Sequence, residues 1–277
     1  MAKTLKFDEV GYWSEIKLDI VKQYAVAYSK IMVGSGRFRH CYIDAFSGAG
    51  KHVRKKTGEM ILGSPLNALE VTPPFSAYWF IDLDAGKIDY LKAAVGPRTD
   101  VEILSGDCNE VLLSVFFPRV TYASFSRALC LIDPYGLHLD WRVLKAAGAS
   151  RTIEIFLNFP VADMNRSVLW RNPQLVAADD IERMNRFWGD ESWRQAAYDT
   201  SGDLFGNPHK TDNDSIAEAF RQRLEKVAGF KYVPLPIPMR NSQGATVYYL
   251  FFASENKTGA RIVTWLFDKY RNRGSLL

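Results

Sequence analysis

Apolar positions recur along this chain with two alternating periods. Over residues 12–32, Trp13, Ile16, Ile20, Tyr24, Ala27 and Ile31 follow at steps of three and four, which predicts a helix with those side chains on one face. Glu15, Asp19, Lys22 and Lys30 gather on the opposite face, and Lys17 falls at the edge of the apolar stripe, placed to reach inward. Gly34, Ser35 and Gly36 end that helix. Short apolar runs follow at 40–46, 77–81, 101–104, 128–132 and 152–159. Helical stretches separate them at 84–95, closed by Gly96-Pro97, at 109–117, and at 141–147, stopped by Gly148. A shorter helix starts at Gly63-Ser-Pro65, with Ser64 as N-cap and Pro65 at the first helical position. Strands alternating with helices predict a parallel sheet covered on both faces, and unbroken apolar strands are those buried on both sides.

The pattern then changes. Residues 161–230 show no clear strand and read as helices with loops. Two further strands at 232–239 and 245–253 are joined by a short turn, which makes them an antiparallel hairpin. Pro234, Pro236 and Pro238 alternate along the first, the mark of an exposed edge or irregular pairing. An amphipathic helix covers 256–270. The expected class is α/β: a doubly wound, mostly parallel, Rossmann-like sheet with a C-terminal antiparallel hairpin and a helical insert. The chain divides into a core at 1–160, an insert or lid at 161–230, and a segment at 231–277 that completes the core.

The most informative stretch runs from His40 to Gly50, a strand that leads straight into the turn Ser47-Gly-Ala-Gly50. Gly48 and Gly50 permit a tight turn and close backbone approach to a ligand. Four strands end at or just before an aspartate, Asp44, Asp82, Asp107 and Asp133. In an open α/β sheet all four belong to the edge where ligands bind. A strand-end aspartate is by itself a common cap or turn residue, but four in succession point to a site.

Composition narrows the classes without naming one. The 277 residues are 47% apolar and 24% charged, with a formal net charge of +4. That suffices for a sizeable core and only permits nucleic acid as a partner. Cys41, Cys108 and Cys130 form no C-x-x-C pair and the four histidines show no ligand spacing, so neither a disulfide framework nor a metal site is expected. There is no apolar run of about 18 residues and no apolar signal region at the start, so we expect a cytoplasmic protein without a membrane span. Lys51, His52, Arg54, Lys55 and Lys56 read as a cationic loop, either a solvated surface or a contact for an anionic substrate or acidic partner through Lys55 and Lys56. In the insert, Trp170, Trp188 and Trp193 interleave with arginines, a pattern able to stack nucleobases. However, nine Lys and Arg stand there against twelve Asp and Glu, which favours tryptophans that pack a lid. Asn158, Asn165 and Arg166 lie at or after the end of the fifth strand, facing a substrate or serving as turn and cap residues.

The string Asp44-Ala-Phe-Ser-Gly-Ala-Gly50 resembles motif I of the class I S-adenosyl-L-methionine methyltransferases. The wider set, with Gly63-Ser-Pro65, Phe80-Ile-Asp-Leu-Asp84, Gly106-Asp-Cys-Asn109, Leu131-Ile-Asp-Pro-Tyr-Gly-Leu137 and Leu157-Asn-Phe159, is similar to the three-Cys-motif partner proteins (TcmP). Trp13 and Lys17 also match positions of that family. The resemblance implies S-adenosyl-L-methionine bound by Lys17, Asp44, Phe46, Ser47, Gly48, Gly50, Asp107 and Cys108, with Asp82 or its rival Asp84 on the ribose. It implies a partner carrying a three-cysteine motif, of an iron–sulfur, radical-SAM-like kind. Asp133-Pro-Tyr-Gly136 resembles the Asp-Pro-Pro-Tyr motif of amino methyltransferases, so Asp133, Pro134 and Tyr135 are the expected catalytic residues. The second proline is missing and the aromatic comes one place early. Two other readings stay open, a non-catalytic partner subunit that binds the same ligand and a nucleotide-binding oxidoreductase. The oxidoreductase is disfavoured because the loop lacks a third glycine at the usual spacing.

Overall fold

The computed structural model describes residues 7–199, 209–241 and 243–271. The chain opens with strand β1 (Asp8–Val10) and the long helix α1 (Tyr12–Ser35), which ends at Gly36 in a left-handed turn. The strand β2 (Arg39–Asp44) follows, then β3 (Lys51–Arg54), β4 (Met60–Leu62) and helix α2 (Ser64–Leu69). Next come β5 (Ala77–Asp82), α3 (Ala85–Val95), β6 (Val101–Ser105) and α4 (Cys108–Val111), which runs on through a wider turn at Leu112–Phe116. After β7 (Ser126–Ile132), α5 (Trp141–Ser150) and β8 (Ile153–Phe159), the insert holds α6 (Val161–Ser167), α7 (Ala178–Trp188), α8 (Trp193–Ala197), the strand pair β9 (Tyr198–Asp199) and β10 (His209–Lys210), and α9 (Asn213–Lys226). The chain closes with β11 (Ile237–Arg240), β12 (Thr246–Ala253) and α10 (Lys257–Arg271).

Seven strands form one sheet in the order β11-β12-β8-β7-β2-β5-β6. The five from β6 to β8 run parallel, and the hairpin is antiparallel to β8 and within itself. The expected α/β class is therefore what forms. Successive residues alternate between the two faces. Cys41, Ile43, Trp79, Ile81, Cys130 and Ile132 pack on one side, and Tyr42, Tyr78, Phe80, Leu129 and Leu131 on the other. The first of these cores continues into the insert, where Phe187, Trp188, Trp193 and Phe220 join Phe159 and Phe251. The insert is thus packed onto the sheet, and its tryptophans Trp188 and Trp193 are buried.

Several local expectations fail for physical reasons. Residues 51–54 are a strand, not a loop: β3 pairs parallel with β1 and antiparallel with β4 in a second, three-stranded sheet. The buried face of α1 is rotated. Tyr28 and Met32 are inside, whereas Ile31 is 41% exposed and Ala27 half-buried. Steps of three and four both keep to one face, so over six turns only the tertiary contact selects the stripe. Gly148 does not stop α5, which continues to Ser150 and ends at Arg151 in a left-handed turn. Gly148 is required by packing, because a Cβ there would stand 2.1 Å from the Ala228 carbonyl oxygen. Ser64 makes no side-chain cap for α2; Gly63 occupies the cap position. The insert does contain a short strand pair, β9 with β10. The first hairpin strand begins only at Ile237, and Tyr232 contributes a single bridge to Ser254. The edge position of β11 matches its prolines.

Candidate functional site

The strand order reverses between β2 and β7, and an α/β sheet opens a crevice at the carboxyl ends of such a pair. Here β2 delivers Asp44 into full burial. Its Oδ1 accepts from the Phe46 N–H at 3.3 Å, and its Oδ2 has no partner. Burial pushes the carboxyl up to about 7, against the opposing pull of the Ser64 hydroxyl and the Phe46 N–H. Beyond it the chain is stitched to the end of β5. Ser47 donates twice to the Ile81 carbonyl, from N at 2.8 Å and from Oγ at 3.0 Å. The Gly48 N–H donates to Asp82 Oδ2 at 2.8 Å. Gly48 and Gly50 both have positive φ, 58° and 77°, and a Cβ on Gly50 would lie 2.7 Å from Leu91 Cδ1.

The other strand ends complete the rim. Asp82 Oδ1 accepts from the Asp84 N–H at 2.9 Å. Asp84 itself caps α3, accepting from the N–H groups of Gly86 and Lys87. Asp107 accepts from Asn109 N at 2.8 Å and Nδ2 at 2.9 Å, while Asn109 also binds the His138 carbonyl and the Asp140 N–H. Asn109 thereby ties the loop after β6 to the loop after β7.

Two cavities open along this rim. The larger, about 420 Å³, is lined by Phe46, Asp82, Asp107, Cys108 and Asn109, with Arg183 and Arg186 of α7 across the top. Asp82 lines it and Asp84 does not. Burial, reinforced by Asp107, pushes the Cys108 thiol up to about 12, so it is a neutral wall residue. The smaller, about 260 Å³, is lined by Lys17, Gly48, His52, Asp133, Asn158 and Tyr248, among others. Phe46 and Tyr135 line both, so the cavities adjoin.

Lys17 and Asp133 form an ion pair, 116 residues apart in sequence. Burial works against the ammonium, but Asp133, Tyr248 and Asp44 together hold its pKa above the ordinary lysine value. Pro134 lines the same cavity. Tyr135, 55% exposed, donates its hydroxyl to Asp8 Oδ2 at 2.9 Å, where Lys87 Nζ also binds at 2.8 Å. Lys87 lies 5.2 Å from the Tyr135 ring centre. Burial and Asp8 raise the Tyr135 phenol well above its usual range.

Most of the residues picked out from sequence thus meet at one edge. Lys17, Phe46, Gly48, Asp82, Asp107, Cys108, Asp133, Pro134, Tyr135 and Asn158 line a cavity, and Asp44, Ser47 and Gly50 shape the loop between. Asp84 caps α3, and four others lie elsewhere. Asn165 is engaged by Asn213 and Lys210, Arg166 pairs with Asp163 on the surface, and Lys55 and Lys56 are exposed in the turn between β3 and β4. None of these four lines either cavity. Arg54 of the cationic segment is spent on Glu15 and Glu59.

Sequence reasoning missed Asp8 and Tyr248, and it read His52 only as part of a cationic loop and Arg183 and Arg186 only as arginines among the insert's tryptophans. In β3 His52 lies opposite Asp8 of β1, so both reach the smaller cavity from the second sheet. Arg183 and Arg186 stand three apart on α7, the one signal available for them in the sequence. Among the described residues no cluster of His, Cys, Asp and Glu could hold a metal ion, and no helix is long and apolar enough to cross a membrane.

Comparison with protein-family models gives no match, and comparison with curated proteins gives none either. Solved structures do match in fold. A Legionella pneumophila protein of family DUF519 superposes with a TM-score of 0.52 at 13% identity, over 93% of each chain. The methyltransferase domain of bacterial CtHen1 gives 0.39 at 12% identity, over 84% of this chain and 99% of that one. A SAM-dependent methyltransferase of Leishmania major gives 0.36 at 11% identity, over 87% and 82%. The likeness to the Legionella protein is one of fold alone.

Proposed function

We propose that this chain is an S-adenosyl-L-methionine-dependent methyltransferase that acts on an amino nitrogen. The observation that supports the reading is the pair of adjoining cavities at the reversal of strand order, with Phe46 and Tyr135 as their shared wall. Methyl transfer needs a donor site and an acceptor site that meet, and two adjoining cavities suit that need. The larger cavity fits the nucleoside of the donor. Each oxygen of Asp82 accepts one backbone N–H, and a carboxylate offers about four acceptor positions, so two remain for ribose hydroxyls. Asp107 is placed for the adenine amino group, with Phe46 and Cys108 as apolar walls. The Gly48–Gly50 turn and the unpartnered Asp44 Oδ2 fit the donor's amino-acid end.

When bound, the donor supplies an electrophilic methyl group. The chain's own task is to hold an acceptor in line with it and keep water out, and such positioning supplies most of the acceleration. Asp133, Pro134 and Tyr135 stand at the acceptor cavity, and Lys17 fixes the Asp133 carboxylate from below. The three-cysteine-motif partner rests on the sequence resemblance, and a nucleic-acid acceptor on the tryptophans and arginines interleaved in the insert.

Titration calorimetry with S-adenosylmethionine, S-adenosylhomocysteine and NAD tests the donor site. Affinity for NAD alone would overturn the reading. The ion pair on Asp133 favours a second reading, a subunit that binds the ligand without catalysis, because an amino methyltransferase keeps that carboxylate for its acceptor. Labelled-methyl transfer to RNA, DNA and protein extracts separates the two; bound ligand without transfer to any of them supports the subunit.

A further inference from the structure

Two buried polar atoms near the smaller cavity have no work inside the protein. Asn158 lines it, is only 9% exposed, and its Oδ1 has no hydrogen-bond partner. His52 lines it too, and its Nδ1 is buried without a partner. An unsatisfied buried acceptor costs about 1–3 kcal/mol, so a ligand that supplies donors relieves both.

Among the described residues the cation facing this cavity is already spent, and of the four carboxylates that line it, three are paired while Glu9, on the exposed side of β1, is not. Lys17 is the only lysine or arginine among the described residues that line it, and Asp133 holds it. Asp8 is paired with Lys87 and Asp163 with Arg166. Among the described residues no lysine or arginine is left there to receive a phosphate or carboxylate. At about 260 Å³ the space falls under the roughly 300–1,000 Å³ typical of drug-sized ligands, enough for one ring between Phe46, Tyr135 and Tyr248.

Resting on the methyltransferase reading above, we infer that the smaller cavity takes an uncharged aromatic amine, with Asn158 Oδ1 accepting one of its N–H groups and His52 Nδ1 receiving the proton released on methylation. The amine lone pair forms the new N–C bond while the sulfonium S–C bond breaks and leaves its electron pair on sulfur. The nitrogen then carries the positive charge, and one of its protons passes to His52 and on to solvent. An arylammonium is acidic, so an imidazole is able to take this proton. Burial and the Lys17 charge lower the His52 pKa, and Lys87 adds to this while Asp8 and Asp133 oppose it, so the ring is neutral near pH 7. Gly63 makes room for the ring: a Cβ there would lie 3.1 Å from His52 Nε2. Orientation of the amine falls to Asn158 because Asp133 is held by Lys17.

Ligand-observed NMR on the protein loaded with S-adenosylhomocysteine tests this with four probes of one ring size: aniline, benzylamine, benzoate and phenyl phosphate. Aniline should bind at least about 10-fold more tightly than the three charged probes. Asn158→Ala should weaken aniline about 10-fold and Asn158→Asp, which keeps an acceptor oxygen, should retain it, with S-adenosylhomocysteine affinity constant in both as the check on folding. In labelled transfer to aniline, His52→Gln should lower kcat about 100-fold and leave KM unchanged. Equal binding of phenyl phosphate, absence of aniline binding beside intact S-adenosylhomocysteine binding, or an unchanged kcat in His52→Gln would overturn the assignment. Failure to bind S-adenosylhomocysteine at all would instead remove the methyltransferase reading on which it stands.

Discussion

Replacing Asp133 with alanine strips the counter-charge from a lysine that is almost wholly enclosed. The Lys17 side chain is 9% exposed and that of Asp133 is 30% exposed. Removing one partner of a buried pair typically costs about 3–5 kcal/mol, since the remaining charge is left desolvated. Asp44 faces Lys17 as well, and its carboxyl, raised to about 7, is largely ionised at pH 8, so part of the counter-charge stays once Asp133 is gone. That partial replacement places the expected loss near the lower bound, about 3 kcal/mol. The pair's contribution is complete below the ordinary lysine pKa and disappears only as pH rises through the elevated folded value, so measurements at pH 8 lie on the plateau. With a urea m-value of about 3 kcal/mol/M, the midpoint should fall by about 1 M. Lys17→Met combined with Asp133→Leu removes both charges and should recover much of the loss, a positive coupling in a double-mutant cycle. A midpoint shift under about 0.3 M for Asp133→Ala, or a double variant as unstable as the sum of the singles, would refute the argument.

Other consequences follow from single contacts. Glu154 is buried, accepts from the Tyr24 hydroxyl, and burial pushes it up to about 7. A raised carboxyl stabilises the fold at low pH and loses that contribution as pH climbs from about 4.5 to 7, worth about 3 kcal/mol, so Glu154→Gln should be more stable than the parent at pH 8 and lose the advantage at pH 4.5; equal melting-temperature profiles for the two proteins would contradict it. Gly148→Ala drives a methyl against the Ala228 carbonyl and should cost about 1–3 kcal/mol or more, whereas Gly34→Ala, with open space around it in α1, should add about 0.4–1 kcal/mol; chemical denaturation of both reads the contrast. Gly50→Ala combines a positive φ, about 1–2 kcal/mol of strain, with the Leu91 contact, and should weaken S-adenosylmethionine binding as well as stability, which calorimetry beside a thermal melt will show.

The amino-acid sequence alone determined the alternation of buried strands with helices, and with it the edge on which Asp44, Asp82, Asp107 and Asp133 meet. Those features are local: an apolar run, a glycine turn and a strand-end carboxylate each lie within a dozen residues. Lys17 at the border of its helix stripe was also legible as a residue able to turn inward. Only the tertiary structure decided what that lysine touches. Its partner lies 116 residues on, and no periodicity encodes such a contact. The same holds for residues 51–54. A four-residue strand with every residue half-buried carries no clear pattern, and it exists because β1, more than forty residues earlier, pairs with it in parallel. That pairing turned an apparent basic loop into a wall, consumed Arg54 in ion pairs, left Lys55 and Lys56 in solvent, and brought His52 to the cavity. Asp82 and Asp84 were likewise set apart by backbone donors, since Asp84 caps α3 and Asp82 receives the glycine loop. Residue type sets what a side chain is able to do, but its charge state and its neighbours come from segments distant in sequence, and those are fixed only when the sheet closes.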